Sequence, residues 1–303
     1  MTTELKNEFS WSKTRDEVFK ICSRKYWFAY YGYWNGWHEN APGRTRQIYV
    51  LKNLKNRYIW AGEKVHECIQ RSLNNIRRGV KVLPADEIVS ITLDQMRSEF
   101  RSSRSKNYAK NPKTCALFEH EYDSEVTDGE WREVAAHVGD CLRTFYGSDI
   151  YHGLRALERA EWLEVEEFSS FFLDLAKVNV IMDCAIKEGE DLVIYDWKTG
   201  KTFSESISLQ LCCYALYALG KWNIPLNRLR MIEFNLSSNR AAEFSVSPRQ
   251  VEEVKSYIRG SIKDMESLLT DPGNNVPKAP EHFTMTEDER ISLRCNFRKI
   301  CKP

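Results

Sequence analysis

No stretch of the 303-residue chain reaches the ~18 consecutive apolar residues that a membrane-spanning helix needs, so no membrane span is expected. The opening residues, MTTELKNEFSWSK, are polar and charged and lack the apolar core of an export signal. Internal repeats and low-complexity blocks are also missing, which removes repeat arrays and disordered tracts from consideration. What remains is a composition of 42% hydrophobic and 29% charged residues, that of a soluble globular chain. Its length allows one large domain or two modest ones with ample core. Nine cysteines, an odd number without a secretion signal, point to a reducing cytoplasm rather than a disulfide framework.

Net charge is scarce too, only +1, but it is unevenly spread. Residues 1–113 carry 22 Lys+Arg against 11 Asp+Glu, whereas the remainder carries 22 against 32. A basic half set against an acidic half suits a polyanion bound on one side, although mixed-charge helices of differing composition give the same count. The clusters RSLNNIRRGVK (71–81) and RSSRSKNYAKNPK (101–113) would serve phosphate contacts.

Apolar periodicity predicts a mostly helical region over 1–160, with helices at 11–34, 57–79, 85–103 and 129–146. From about residue 161 the period shortens to that of strands, giving three runs up to residue 200. A helix is expected at 205–219, strands near 227–236 and 241–246, and a long helix at 248–269. Residues 270–283 read as a linker and 284–303 as a cysteine-containing tail. The whole chain is read as one domain with its α/β core at 161–269.

The stretch VIYDWKTG (193–200) ends an apolar strand with two opposite charges on one face, Asp196 and Lys198. A solvated strand end with a weak surface ion pair is the plain reading. The preceding strand changes it. If residues 188–191 form a hairpin loop, Lys187 opposes Leu192, Asp183 opposes Asp196 and Ile181 opposes Lys198. Met182–Trp197, Cys184–Tyr195 and Ile186–Val193 then form an apolar second face, which a one-residue slip would scramble. Two carboxylates so placed have Cβ atoms ~4.5–5.5 Å apart and repel unless a cation lies between them. Mg²⁺ or Mn²⁺ suits such a pair.

These two strands, with three further stretches, resemble the PD-(D/E)XK nuclease superfamily, and within it the RecB-like branch that includes AddB and Cas4. VIMDC (180–184) and IYDWKTG (194–200) are similar to its second and third motifs. AGEKVHECI (61–69) is similar to its G-x-x-x-H-E helix, and SLQLCCYALYA (208–218) to its Q-x-x-x-Y helix. FSWSKTRDEVFKICSRKYWFAYYG (9–32) is similar to its first helix. The resemblance implies a restriction-endonuclease-like α/β fold: a central mixed β-sheet flanked by helices, plus a helical N-terminal region. It implies a metal-dependent deoxyribonuclease in which His66, Asp183, Asp196 and the Trp197 carbonyl ligate Mg²⁺ or Mn²⁺. Lys198 would deprotonate or orient the attacking water, and Gln210 and Tyr214 would hold the substrate phosphate. DNA, single-stranded or double-stranded with ends, would be the substrate, in repair, recombination or anti-phage defence, with a helicase or defence-system protein as partner. The aromatic run Tyr26, Trp27, Phe28, Tyr30 and Tyr31 is either core or a set of stacking platforms.

Many RecB-like nucleases also hold a 4Fe–4S (iron–sulfur) cluster between a cysteine of the first helix and a terminal C-x2-C-x5-C. Cys22, Cys295 and Cys301 match three positions, and Ser292 stands at the fourth. Such clusters normally take four thiolates. An unusual fourth ligand, a degenerate site and an altered cysteine all remain open. The rival to a nuclease is a non-catalytic nucleic-acid-binding module, or a subunit active only in a helicase or partner complex. Relics of that kind usually lose an aspartate or the lysine, whereas His66, Asp183, Asp196 and Lys198 are all present here.

Overall fold

The computed structural model describes residues 5–202 and 206–301. Before the first strand come α1 (Lys13–Ile21), α2 (Ser23–Trp27), α3 (Gly43–Lys52), α4 (Arg57–Arg77), α5 (Ala85–Arg104), α6 (Phe118–Glu121), α7 (Asp128–Gly147) and α8 (Asp149–Ala156). Several of these helices begin at a side-chain cap, whereas α3 and α5 start after prolines without one. Ser12 Oγ accepts the Arg15 N–H at α1, and Asn56 Oδ1 accepts two N–H groups at α4. Thr127 and Glu130 cap each other reciprocally at α7.

The single helix expected over 11–34 is broken. Cys22 adopts extended backbone (φ −167°, ψ 111°), closing α1 through its N–H to the Val18 carbonyl. Its Sγ then accepts the Lys25 N–H, so the same residue caps α2. A π-helical turn, Phe28–Gly32, follows. There a Cβ on Gly32 would lie 2.4 Å from the Trp27 ring, so only glycine allows this packing.

The strands are β1 (Trp162–Glu164), β2 (Phe168–Leu173), β3 (Ala176–Ile181), β4 (Cys184–Glu188), β5 (Asp191–Lys198), β6 (Leu229–Asn235) and β7 (Arg240–Phe244). Helix α9 (Leu209–Trp222) crosses from β5 to β6, and α10 (Pro248–Glu266) follows β7. The main sheet runs β1-β4-β5-β6-β7, with β5 and β6 parallel and the other neighbours antiparallel. This is the mixed α/β architecture, sheet flanked by helices, that the resemblance implies. Both faces of β5 are covered. Leu192 and Ile194 pack in the core with α9 and α10, whereas Val193, Tyr195 and Trp197 pack in the core with α4, α5 and α7. Burial of each large apolar side chain contributes about 1.5–3 kcal/mol, so β5 is held from both sides near the acids.

The hairpin register is the expected one, Cys184↔Tyr195 through Lys187↔Leu192. Its turn is shorter, because Glu188 also pairs with Asp191 and only Gly189 and Glu190 remain between them. Gly189 sits at φ +61°, where glycine is unstrained. The ladder stops at Cys184. The preceding residues leave it, so Asp183 is not paired with Asp196, Ile181 pairs with Phe168 rather than Lys198, and Met182 enters the core opposite to that of Trp197. β2 and β3 form a separate two-stranded ribbon.

The stretch expected as a linker is packed. β8 (Leu269–Asp271) pairs with β9 (Val276–Pro277), and Phe283 is fully buried against Tyr26 and Tyr31. The tail, α11 (Glu289–Leu293) and α12 (Arg298–Cys301), returns to the N-terminal helices. Phe297 stacks on Phe28 at 5.1 Å, Arg44 donates to the Ile300 carbonyl, and Asn296 donates to the Leu54 carbonyl. Among the described residues no helix is long and apolar enough to cross a membrane.

Candidate active site

Four elements converge at the end of β5. Helix α4 brings His66, whose Nδ1 lies 3.3 Å from Asp183 Oδ1 and 3.1 Å from Glu166 Oε1. The helix can approach because residue 62 is glycine: a Cβ there would already lie 3.1 Å from Thr199 Oγ1. Asp183 sits at the break between β3 and β4, and its Oδ2 accepts the Trp197 N–H at 2.6 Å. That bond ties the first acid to the strand carrying the second. Trp197 itself stacks on Tyr195 inside the core.

Asp196 is buried at 1% exposure on β5. Its Oδ2 contacts Lys198 Nζ at 2.5 Å as an ion pair outside hydrogen-bond geometry, and its Oδ1 has no hydrogen-bond partner among the described residues. Burial, and then the charge of Asp183, push its carboxyl up to about 6. Lys198 Nζ also donates to Gln210 Oε1 at 3.0 Å. Gln210 Nε2 donates to the Tyr214 hydroxyl at 2.6 Å, and that hydroxyl donates to the Ile181 carbonyl at 2.5 Å. A chain of polar contacts thus runs from Asp196 to the β3 strand end. Burial works against the Lys198 ammonium, but Asp196 outweighs it and the pKa is raised. Burial and the two aspartates raise the Tyr214 phenol well above its ordinary range, which keeps it a donor.

Two acids at this centre were missed in the sequence. Glu166 lies between β1 and β2 at φ +51°, and its N–H is shared by the Met182 and Asp183 carbonyls at 3.0 and 3.2 Å. That clamp brings its carboxylate to His66. Glu233 is buried beside Asp196 in the β5–β6 pairing. A charged residue inside the apolar strand MIEFN was the available signal for Glu233, while Glu166 was hidden among the acids of EVEEF. Burial disfavours a charged His66 ring, but Asp183 and Glu166 more than reverse this and the pKa is well raised.

The donors of His66, Glu166 and Asp183 lie within 4.8 Å of one another, close enough to share one metal ion. This donor set of carboxylate oxygens and one imidazole fits a hard divalent cation. Asp196, expected as a ligand, stands outside that group, although its charge is felt there and its Oδ1 is orphaned. The loop after β5 is fixed from outside. His137 Nε2 donates to the Thr199 carbonyl at 2.8 Å, and buried Asn235 donates to the carbonyls of Gly200 and Thr202.

The aromatic run of the first helix is core. Tyr26 and Tyr31 are buried and Tyr30 half-buried around the buried Arg15 guanidinium, while buried Phe28 packs on Trp27 and Phe297, so they offer no stacking platform. Cys22, Ser292, Cys295 and Cys301 all line one cavity of about 420 Å³. Three thiols and a hydroxyl fall one thiolate short of the set a 4Fe–4S cluster takes.

The family model of the PD-(D/E)XK nuclease superfamily matches residues 10–302. No curated protein matches the chain.

Proposed function

Because that match spans almost the whole sequence, the chain belongs to the PD-(D/E)XK nuclease superfamily, and we propose that it is a divalent-metal-dependent deoxyribonuclease of the RecB-like type. The observation that carries the proposal is the His66, Asp183 and Glu166 donors within 4.8 Å of one another, with the buried Asp196 carboxylate, short of partners, under the charge of Asp183 and paired with Lys198. An uncompensated buried carboxylate is costly, and a bound cation offsets that cost.

In this reading His66, Asp183 and Glu166, with Asp196 and the Trp197 carbonyl, hold Mg²⁺ or Mn²⁺. When bound, the cation supplies a Lewis acid for the phosphodiester and a lowered pKa for water. Lys198 stays an ammonium, which favours orienting the attacking water and stabilising charge that develops on the phosphate over taking a proton. Gln210 positions the Lys198 head group, and both Gln210 and Tyr214 turn toward the phosphate when it is present. The basic surplus of residues 1–113 supplies phosphate contacts along the strand. The chain acts as one nuclease unit in DNA repair, recombination or anti-phage defence, with a helicase or defence-system partner.

We infer a degenerate cluster site at the tail. The Phe28–Phe297 stack and the bonds to Ile300 and Asn296 hold the tail without iron. Iron and sulfide analysis of anaerobically purified protein tests this, and full 4Fe–4S stoichiometry would overturn it. The nuclease reading is tested with labelled single- and double-stranded DNA in Mg²⁺, Mn²⁺ or EDTA, beside Lys198→Ala. Cleavage should require both the cation and the lysine, and cleavage surviving EDTA and the substitution would refute it.

A further inference from the structure

A second recess opens against the same two side chains that end the polar chain. Gln210 and Tyr214 form one wall of a cavity of about 250 Å³, and its other walls are the start of α1 and one end of the β2–β3 ribbon. At that end Phe168 and Ile181 are a cross-strand pair, 67% and 44% exposed. Alternation along the ribbon buries Leu173, Val178 and Val180 on the other face, so these two are turned outward by register and not by a disordered end. Asn179, two residues before Ile181, also lines the recess. Its Nδ2 donates to Ser10, while its Oδ1 is buried without a hydrogen-bond partner among the described residues. Across the gap, Lys13 opens α1 and holds an ion pair with Glu17, both side chains well exposed.

We propose that this recess is a subsite for one unpaired nucleotide of single-stranded DNA beside the scissile phosphate. Phe168 stacks on the base and Lys13 pairs with the adjoining phosphate. The proposal rests on the nuclease reading and adds the strand form that the site prefers. The cavity is smaller than the ~300 Å³ at which ligand clefts usually begin, so it takes one base and not a pair. Stacking on one exposed ring tolerates every base, and a base inside a duplex has its faces already covered. The subsite is continuous with the reacting groups, since the Tyr214 hydroxyl bonds the Ile181 carbonyl.

The test is equilibrium binding of a fluorescein-labelled single-stranded oligonucleotide in EDTA, followed by cleavage kinetics in Mg²⁺. Phe168→Ala should weaken single-strand binding about 5- to 100-fold, the loss expected for one base stack, and raise KM with kcat held. Phe168→Trp should restore both. Phe172→Ala removes a ring exposed at 70% on the same ribbon but outside the recess, and should change neither. An abasic nucleotide scanned along the strand should, at one position, reproduce the Phe168→Ala loss without adding to it. Unchanged affinity in Phe168→Ala, or an equal loss in Phe172→Ala, overturns the subsite. If wild-type protein then still cleaves, the nuclease reading stands. If wild-type protein fails to cleave with either cation, that reading falls instead, while the binding data in EDTA still decide the subsite.

Discussion

Replacing Asp196 by asparagine should make the metal-free protein more stable, not less. The carboxyl is buried at 1% exposure, and burial with the neighbouring Asp183 charge moves it from 3.8 to about 6. A raised carboxyl pKa means that the ionised form is tolerated less well in the folded chain than in the unfolded one, a cost of about 3 kcal/mol. The cost is absent below about pH 4, where the group is protonated in both states, grows between about pH 4 and 6, and is complete above about 6. Asparagine removes it at every pH but also removes the contact with Lys198. The expected net gain is therefore about 1–2 kcal/mol at pH 8 in EDTA, shrinking toward zero or below as the pH falls to 5. Urea unfolding of both proteins at pH 5, 6.5 and 8 measures it. Millimolar Mn²⁺ should then stabilise wild type by mass action and leave Asp196→Asn nearly unmoved, reversing the order. Asp196→Asn that is less stable than wild type at pH 8 in EDTA, or equal stabilisation of both by Mn²⁺, would refute the reasoning.

Gly62→Ala gains helix propensity of about 1 kcal/mol but places a methyl 3.1 Å from Thr199 Oγ1, so unfolding free energy should move by less than about 1 kcal/mol. Its kcat on DNA should nonetheless fall, by up to about 100-fold, because the loop after β5 is pushed off position. Phe297→Ala, at a ring 1% exposed and stacked on Phe28, should cost about 3 kcal/mol in urea unfolding, equally in iron-depleted protein. Burial and the Arg15 charge hold the Lys52 ammonium down at about 8. The folded state is thus penalised below about pH 8 and relieved as pH rises to 10.5. Lys52→Met should accordingly raise Tm at pH 7, by about 1–3 kcal/mol in stability terms, with the advantage fading by pH 10.

The sheet was legible where side-chain alternation and burial agree. Cys184, Ile186, Val193 and Tyr195 form one apolar face from which the β4–β5 register follows, although Ala185, Leu192 and Ile194 are buried on the other. The expected register runs three residues too far, through Asp183, Met182 and Ile181, because nothing local marks the break at Met182 and Asp183. That break is set by the Glu166 N–H bonding their carbonyls from another loop. The same long-range clamp explains why Glu166 was missed: its place beside His66 depends on a left-handed residue and on two elements 100 positions apart. Short helices such as α3 and α8 went unread, and α3 buries only Ile48 and Leu51, too few to show a period. The Gln210–Tyr214 pair was legible as one helix face, but the hydroxyl's bond to Ile181 was not, since β3 lies in a different sheet.

The site depends on a cation held between acids that would otherwise repel. The most direct measurement is anomalous scattering from crystals grown with Mn²⁺. A peak at coordination distance from Asp183, Asp196 and His66 is expected. A peak held elsewhere, or none at saturating Mn²⁺, would contradict it.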